Sequence, residues 1–336
     1  MKLFETKTCG KLPQVPPQLK QEIETAERTS SHHRALMDEL SAMHLIEIGG
    51  VVSQDAPLPH DLTVAAWNVE RCLDVKGSAK LLQSRAPDII LLSEMDSGMA
   101  RTGQKNTTRE IAELLGMNYA YVLEFYELDL GSAIEIELTT DNFNEFGWHG
   151  NALLCRNKPK DVALIRLDDH GHWFCKSDAN ANEPRVGGRV AVAAILETAG
   201  GPICTVSTHL ESAGSIAARQ SQMDRIMAAV DIFAPDMPVI IGGDLNTGNN
   251  LPDPDWKQET LFEAAERQGY SWSSNDDGTT TRPSRLTRFP DKKMKLDWLA
   301  HRDLKAERTQ IIEALDEHGI PLSDHELLVG KFEIQI

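Results

Sequence analysis

Cysteine is scarce in this chain of 336 residues: there are five, Cys9, Cys72, Cys155, Cys175 and Cys204. The number is odd, the spacing is wide and no Cys-x-x-Cys occurs. Neither a disulfide framework nor a thiolate zinc site is supported, and reduced thiols of a cytosolic protein are expected. Long apolar runs are also absent; none approaches the roughly 18 residues of a membrane span. The opening Met1-Lys2-Leu3-Phe4-Glu5 has no apolar core of a secretory signal, so the expected location is cytoplasmic. Basic charge is in deficit, with 34 Lys and Arg against 51 Asp and Glu, a net charge of −17. Such a chain repels polyanions, and duplex DNA is not expected as a partner. Internal repeats and low-complexity tracts are missing too.

What is present is organised in two parts. Residues 1–60 read as an N-terminal arm and helical extension. Pro13, Pro16 and Pro17 interrupt the arm, and a loose helical spacing through Leu36, Leu40, Met43 and Leu45 predicts one or two helices over 18–46. His32 and His33 are adjacent there and face different ways on a helix, so they do not predict a shared metal site. From residue 61 to 336 short apolar runs recur: 62–69, 88–93, 151–155, 189–196, 203–207, 239–241, 295–300 and 327–334. Each reads as a strand. Thr107 and Glu110 form a capping-box pattern ahead of an apolar stripe ending at Gly116. Residues 215–230 and 258–268 also read as helices. Strands only sometimes separated by helices predict mixed sheets. Residues 124–145 carry seven acidic and no basic side chains and read as an insertion. Residues 168–188 read as a long loop of the kind that often serves function.

The runs end in polar residues suited to chemistry. Residues 238–247, Pro-Val-Ile-Ile-Gly-Gly-Asp-Leu-Asn-Thr, are the most informative. A β-branched strand ends in two glycines and presents Asp244 and Asn246, which alternation turns toward one spot. A carboxylate closing a buried strand needs a cation or a donor. The other ends are Trp67-Asn68-Val69-Glu70, Ser93-Glu94-Met95-Asp96, Ser207-Thr208-His209-Leu210, Asp297 after Lys295, and Ser323-Asp324-His325. Singly, each has an ordinary reading: His209 as a core or capping histidine, Asp324-His325 as a turn pair, Asp297 as a partner of Lys295 or Arg302. Together they form an oxygen-rich set without cysteine, which favours Mg²⁺, or Mn²⁺ in its place, over zinc. A divalent cation relieves repulsion among such carboxylates and can hold a phosphate oxygen, while Asp or His activates water.

These pieces, with Gly150-Asn151-Ala152-Leu153-Leu154 and Leu296-Asp297-Trp298, occur in the order found in the exonuclease–endonuclease–phosphatase superfamily of deoxyribonuclease-like phosphoesterases, which the chain resembles over about residues 61–336. The resemblance implies an α/β (α+β) four-layer sandwich: two mixed β-sheets packed face to face and flanked by helices, with the site where strand ends converge. It implies Glu94 as the main Mg²⁺ ligand, helped by Asn68, with Asp324 in the metal environment. Asp244 would orient or deprotonate the attacking water, and Asn246 would hold it or a phosphate oxygen. His325, oriented by Asp297, would bind the phosphate, and His209 would be a second phosphate-side histidine. Arg189 and Asn151 are expected to support substrate binding. The chain departs from nuclease members in lacking a basic, aromatic-interleaved surface and in carrying the arm and the acidic insertion. The expected activity is therefore metal-dependent hydrolysis of a small organic or nucleotide-like phosphodiester, acting on a phosphorylated small molecule. A nuclease for single-stranded or structured nucleic acid, and a catalytically silent binding protein on the same fold, are the alternatives. Trp173-Phe174 is the one sequence hint of a lipid-facing loop.

Overall fold

The computed structural model describes residues 2–50, 56–175, 185–253, 255–287 and 293–334. Its strands are β1 (Thr8–Cys9), β2 (Ile46–Gly50), β3 (Asp61–Arg71), β4 (Ile89–Ser97), β5 (Asn118–Glu127), β6 (Trp148–Cys155), β7 (Asp161–Arg166), β8 (Arg185–Gly187), β9 (Val190–Thr198), β10 (Gly201–His209), β11 (Val239–Asp244), β12 (Asp297–Arg302), β13 (Leu304–Ala306), β14 (Gln310–Ile312) and β15 (Leu327–Ile334). Its helices are α1 (Pro17–Thr25), α2 (Ser30–Glu39), α3 (Val75–Arg85), α4 (Thr107–Leu115), α5 (Ala133–Ile136), α6 (His172–Cys175), α7 (Ile216–Phe233) and α8 (Leu261–Glu266). All eight apolar runs read as strands overlap one of these.

Strands that are apolar on both faces must be covered on both, and that requirement builds the layers. In β9, Val190, Val192, Ala194 and Leu196 face inward, while Ala191, Ala193 and Ile195 face outward. In β3 the inner set is Leu62, Val64 and Ala66, and the outer set is Ala65, Trp67 and Val69. The two inner faces meet in one core. The outer face of the larger sheet is covered by Ile23 of α1, Leu36 of α2, Leu82 of α3 and Ile111 of α4. Met223, Ile226 and Val230 of α7, with Leu261 of α8, cover the outer face of the smaller one. The result is the expected four-layer sandwich of two mixed sheets. The ten-stranded sheet runs β1-β2-β5-β6-β4-β3-β15-β13, with β8 on β5 and β14 on β15. The five-stranded sheet runs β12-β11-β10-β9-β7.

Residues 8–50 are knit into this plan. β1 and β2 extend the larger sheet beside β5, and Pro17 opens α1 at the position where a missing N–H costs nothing. His33 is buried; its Nδ1 lies 3.1 Å from the Asp169 carbonyl and its Nε2 accepts from the Gly187 amide at 3.0 Å. Its work is to tie α2 to the loop at Asp169 and to the end of β8. The helix at 107 is capped one residue earlier than its sequence pattern suggested: Asn106 accepts the Arg109 amide, and the Thr107 hydroxyl donates to Asp96 O at 2.8 Å. Gly116 ends it in the left-handed conformation, as expected. Of the long loop expected over 168–188, residues 176–184 lie outside the described residues.

Candidate active site

Register decides where the polar strand ends fall. In the smaller sheet β10 pairs with β11 in parallel and β11 with β12 in antiparallel, so His209, Asp244 and Asp297 stand side by side across three strands. The approach is close because Gly243 has φ +142° and a Cβ there would lie 1.9 Å from Thr208 O. Only glycine permits it. In the larger sheet the parallel pair β3–β4 sets Asn68 opposite Ser93, shifts register, and resumes at Arg71 opposite Met95. The pairing of β4 with β6 slips between Leu92 and Met95, and Glu94 in that bulge has φ +61°. Bulges of this kind re-aim a side chain. Here the two sheets' ends are joined through Asn68, whose Nδ2 donates to Glu94 Oε1 and to Asp244 Oδ2, each at 3.1 Å.

His325 completes the group. Its Nδ1 is 2.7 Å from Asp297 Oδ2, and its Nε2 is 3.6 Å from Asp244 Oδ2 and 4.0 Å from Asp324 Oδ1. The Ser323 hydroxyl accepts the His325 amide at 3.0 Å and donates to Asn68 O at 2.6 Å, which locks the two segments together. Burial works against charge on His325, yet Asp297 first, then Asp244 and Asp324, raise it well above the ordinary histidine range. Burial pushes Asp297 up to about 6, against the attraction of His325. Across neutral pH the proton of the pair therefore rests on the imidazole. Asp297 does not pair with its sequence neighbours. Lys295 Nζ instead lies 3.7 Å from the centre of the Trp298 ring, and Arg302 binds Asp231.

Asn246 reaches the site by a turn and not by strand alternation. It has φ +51°, a conformation Asn tolerates better than most residues, and its backbone amide donates to Asp244 Oδ1 at 2.8 Å. Its side chain donates to Leu210 O and accepts from Asn249. His209 Nε2 lies 3.5 Å from Asp244 Oδ2, and Arg189 Nη1 donates toward His209 Nδ1 at 2.9 Å. Asn151 does not join the group. It is fully buried, its amide donates to Val190 O, and it is not among the residues lining the cleft. That hydrogen bond joins β6 of one sheet to β9 of the other. The cleft itself has a volume of about 400 Å³ and is lined by Glu94, His209, Asp244, Asn246, Asp324 and His325 together with Arg71, His149, Trp173, Arg185, Arg189 and Arg282. Trp173 donates to Glu211 at the rim, whereas Phe174 is buried against His33.

Sequence reasoning passed over several neighbours. Glu70, two residues beyond Asn68, accepts from Ser284 Oγ at 2.5 Å and from Thr287 Oγ1 at 3.2 Å. Burial foremost, then the negative charge of Asp324, pushes it to about 8. Arg71 pairs with Glu94, and its Nε lies 2.9 Å from Glu135 Oε1. Three acids of the insertion, Glu124, Glu127 and Glu135, prove to be counter-ions of arginines. The insertion's first four residues complete β5, and Glu124 pairs with Arg189. Arg101, with no exposed side-chain surface, lies within 2.7 Å of Asp96 and of Glu127 and 3.1 Å from Glu135. The proximity of Glu70 to Asn68 was a signal in the sequence. The arginine partners of Glu94, Glu124 and Glu135 stand 23 to 65 residues away and left none.

The carboxylates Glu94, Asp244 and Asp324 line this cleft, Glu70 interacts with Asp324 and Glu94, and Asp297 is bound to His325. Burial raises Asp324 despite His325, and Glu70 rises with it. Glu94 moves the other way from Glu70 and Asp324. Burial would raise it, but Arg71, His209, His149 and the Asn68 amide together hold it well below the usual carboxylate range. A hard divalent cation fits this donor set, because it supplies the positive charge that the crowd beside Glu70 and Asp324 lacks. Among the described residues, the grouping whose ligand atoms all lie within 4.8 Å of one another is a different one, Asp244, Asp297 and His325. There, however, the His325–Asp297 hydrogen bond already occupies one nitrogen and one oxygen.

The sequence profile described as the Endonuclease/Exonuclease/phosphatase family matches residues 65–325. No curated protein matches the sequence significantly. Solved structures share the fold. An endonuclease/exonuclease/phosphatase from Beutenbergia cavernae is 18% identical over 82% of this chain and 72% of its own, with a TM-score of 0.56. The human Nocturnin catalytic domain, solved with a bound sulfate anion, is 18% identical over 86% of this chain and 97% of its own, with a TM-score of 0.55. A mannosyl-6-phosphatase from Bacteroides thetaiotaomicron is 14% identical over 81% of this chain and 99% of its own, with a TM-score of 0.54.

Proposed function

The chain belongs to the Endonuclease/Exonuclease/phosphatase family, and from that premise we propose that it hydrolyses a phosphate ester with a divalent cation, Mg²⁺ or Mn²⁺, by attack of water on phosphorus. The observation that carries this reading is the Asn68 amide, 3.1 Å from both Glu94 and Asp244. It holds a cation-type carboxylate and a water-type carboxylate at a fixed separation across the two sheets.

Glu94, with Glu70 and Asp324 beside it, would hold the cation, which when bound neutralises negative charge and polarises a phosphoryl oxygen. Asp244 accepts a proton from the attacking water, since the Asn246 amide and the Asn68 side chain fix both of its oxygens in direction. The charged His325, held by Asp297, donates to a phosphate oxygen as charge builds there. His209 stands on the other side of Asp244 and offers a second nitrogen to the same group.

The substrate we favour is a small organic phosphodiester. A cleft of about 400 Å³ suits one. The cleft's arginines are largely matched by carboxylates: Arg71 by Glu94, Arg189 by Glu124 and Glu211, Arg282 by Glu326. Little positive field remains to track a nucleic-acid backbone. A short single-stranded nucleic acid is the second reading, favoured by half-buried Trp173 at the rim with Arg185 5.3 Å from its ring centre, a stacking platform for a base.

Purified protein with Mg²⁺ or Mn²⁺ is to be assayed against aryl and alkyl phosphodiesters, phosphomonoesters, nucleotides and oligonucleotides. Cleavage of small diesters, lost in Asp244→Asn, is expected. Steeply salt-dependent cleavage of oligonucleotides alone would promote the second reading. No cleavage of any of them would overturn the enzymatic proposal.

A further inference from the structure

We propose that Arg71 is a resident counter-ion which a divalent cation displaces from Glu94, and which then turns to the phosphate group of the substrate. The inference rests on the phosphoesterase reading above.

Arg71 reaches two carboxylates at once. Its Nη1 contacts Glu94 Oε2, and its Nε contacts Glu135 Oε1 at 2.9 Å. The other oxygen of Glu94 already accepts from Asn68. A cation arriving at Glu94 thus meets an arginine on the one oxygen not engaged by the amide. Two positive charges on one carboxylate repel, so the cation and the guanidinium compete.

At Glu135 no cation arrives to displace Arg71, although its Nε shares Oε1 with Arg101 Nη1 at 3.1 Å. Glu135 is held by a capping box, accepting the Ser132 amide at 2.7 Å. Arg101 holds it as well, and is itself pinned by Asp96 and Glu127. The Arg71 backbone is fixed too: Glu70, Arg71 and Cys72 have φ of +43°, +72° and +58°, a turn that L-residues rarely sustain. Arg71 therefore stays tethered at Nε while its Nη atoms can leave Glu94. Its guanidinium already lines the cleft, where the incoming anion is the substrate phosphate. This gives the acidic insertion a function: Glu135 keeps an arginine poised at the metal site.

The test is calorimetric. Mn²⁺ alone is titrated into wild type and Arg71→Gln, and inorganic phosphate is then titrated into each Mn²⁺-loaded protein. Removing the competitor is expected to tighten Mn²⁺ binding about tenfold, a typical coupling between sites. Losing the charged donor is expected to weaken phosphate binding about tenfold. Arg71→Lys covers the case in which Arg71→Gln does not fold. It keeps the competing charge, so Mn²⁺ affinity stays near wild type. It cannot bridge to Glu135 at the same time, so phosphate binding still weakens. Mn²⁺ affinity unchanged or lowered in Arg71→Gln overturns the inference, as does phosphate affinity unchanged in either variant. Wild-type protein that binds no Mn²⁺ brings down the phosphoesterase reading together with the inference.

Discussion

His325 and Asp297 form a buried pair, Nδ1 to Oδ2 at 2.7 Å, that joins the segment before β15 to the start of β12. Because Asp297 is the strongest of the carboxylates raising His325, Asp297→Asn keeps the shape but removes the charge that keeps the imidazole protonated. The alkaline limb of the pH–rate profile is expected to move to lower pH, and kcat/KM to fall on the order of 10²-fold. A profile identical to wild type, in a variant with an unchanged melting temperature, would show that His325 does not act as the charged donor.

Divalent metal should stabilise the protein through Glu94. A cation bound to the native state adds about 2.7 kcal/mol at a hundredfold excess over its Kd. Differential scanning calorimetry with and without Mg²⁺ or Mn²⁺ is expected to show a raised Tm that a chelator reverses. In Glu94→Gln the rise should vanish. A full rise in that variant would move the cation to the Asp244, Asp297 and His325 grouping.

Arg101→Met tests the buried ion network. Three carboxylates, Asp96, Glu127 and Glu135, lose a partner that has no exposed surface. Breaking one side of a buried pair typically costs about 3–5 kcal/mol. Urea unfolding should show a loss in that range. A loss under about 1 kcal/mol would mean that the three acids find protons or water at little expense.

Acid should unfold the protein through its buried ion pairs, those of Arg189 as well as of Glu135. Burial opposes charge on Glu124, Glu135 and Glu211, but their arginine partners lower each to about 2. A depressed carboxylate contributes stability above its unfolded value, roughly 4.3. That contribution is lost as the pH falls through the folded value. Stability is thus expected to be level near neutrality and to drop between about pH 4.5 and 2. Thermal melts across that range would check it, and a flat profile down to about pH 3 would contradict it.

Much of the larger plan is legible in the residues. The alternation of Val190, Val192, Ala194 and Leu196 with Ala191, Ala193 and Ile195 announces a strand covered on both faces. Gly242-Gly243-Asp244 marks a strand end where backbone and carboxylate crowd together. The run from Asn118 to Glu127 was less readable. Its carboxylates Glu124 and Glu127 look like surface charge, and only distant arginines make them interior residues.

By itself, then, the sequence determined eight of the strands and the order of Asn68, Glu94, His209, Asp244, Asp297, Asp324 and His325, because periodicity and local turn chemistry act over a few residues. Only the tertiary structure decided that Asn246 arrives by a turn, that Asn151 stays between the sheets, and that Glu70 and Arg71 flank Glu94. Those outcomes depend on register, on a bulge and on ion pairs between residues far apart in the chain, and such long-range pairing leaves no periodic trace in the residues that make it.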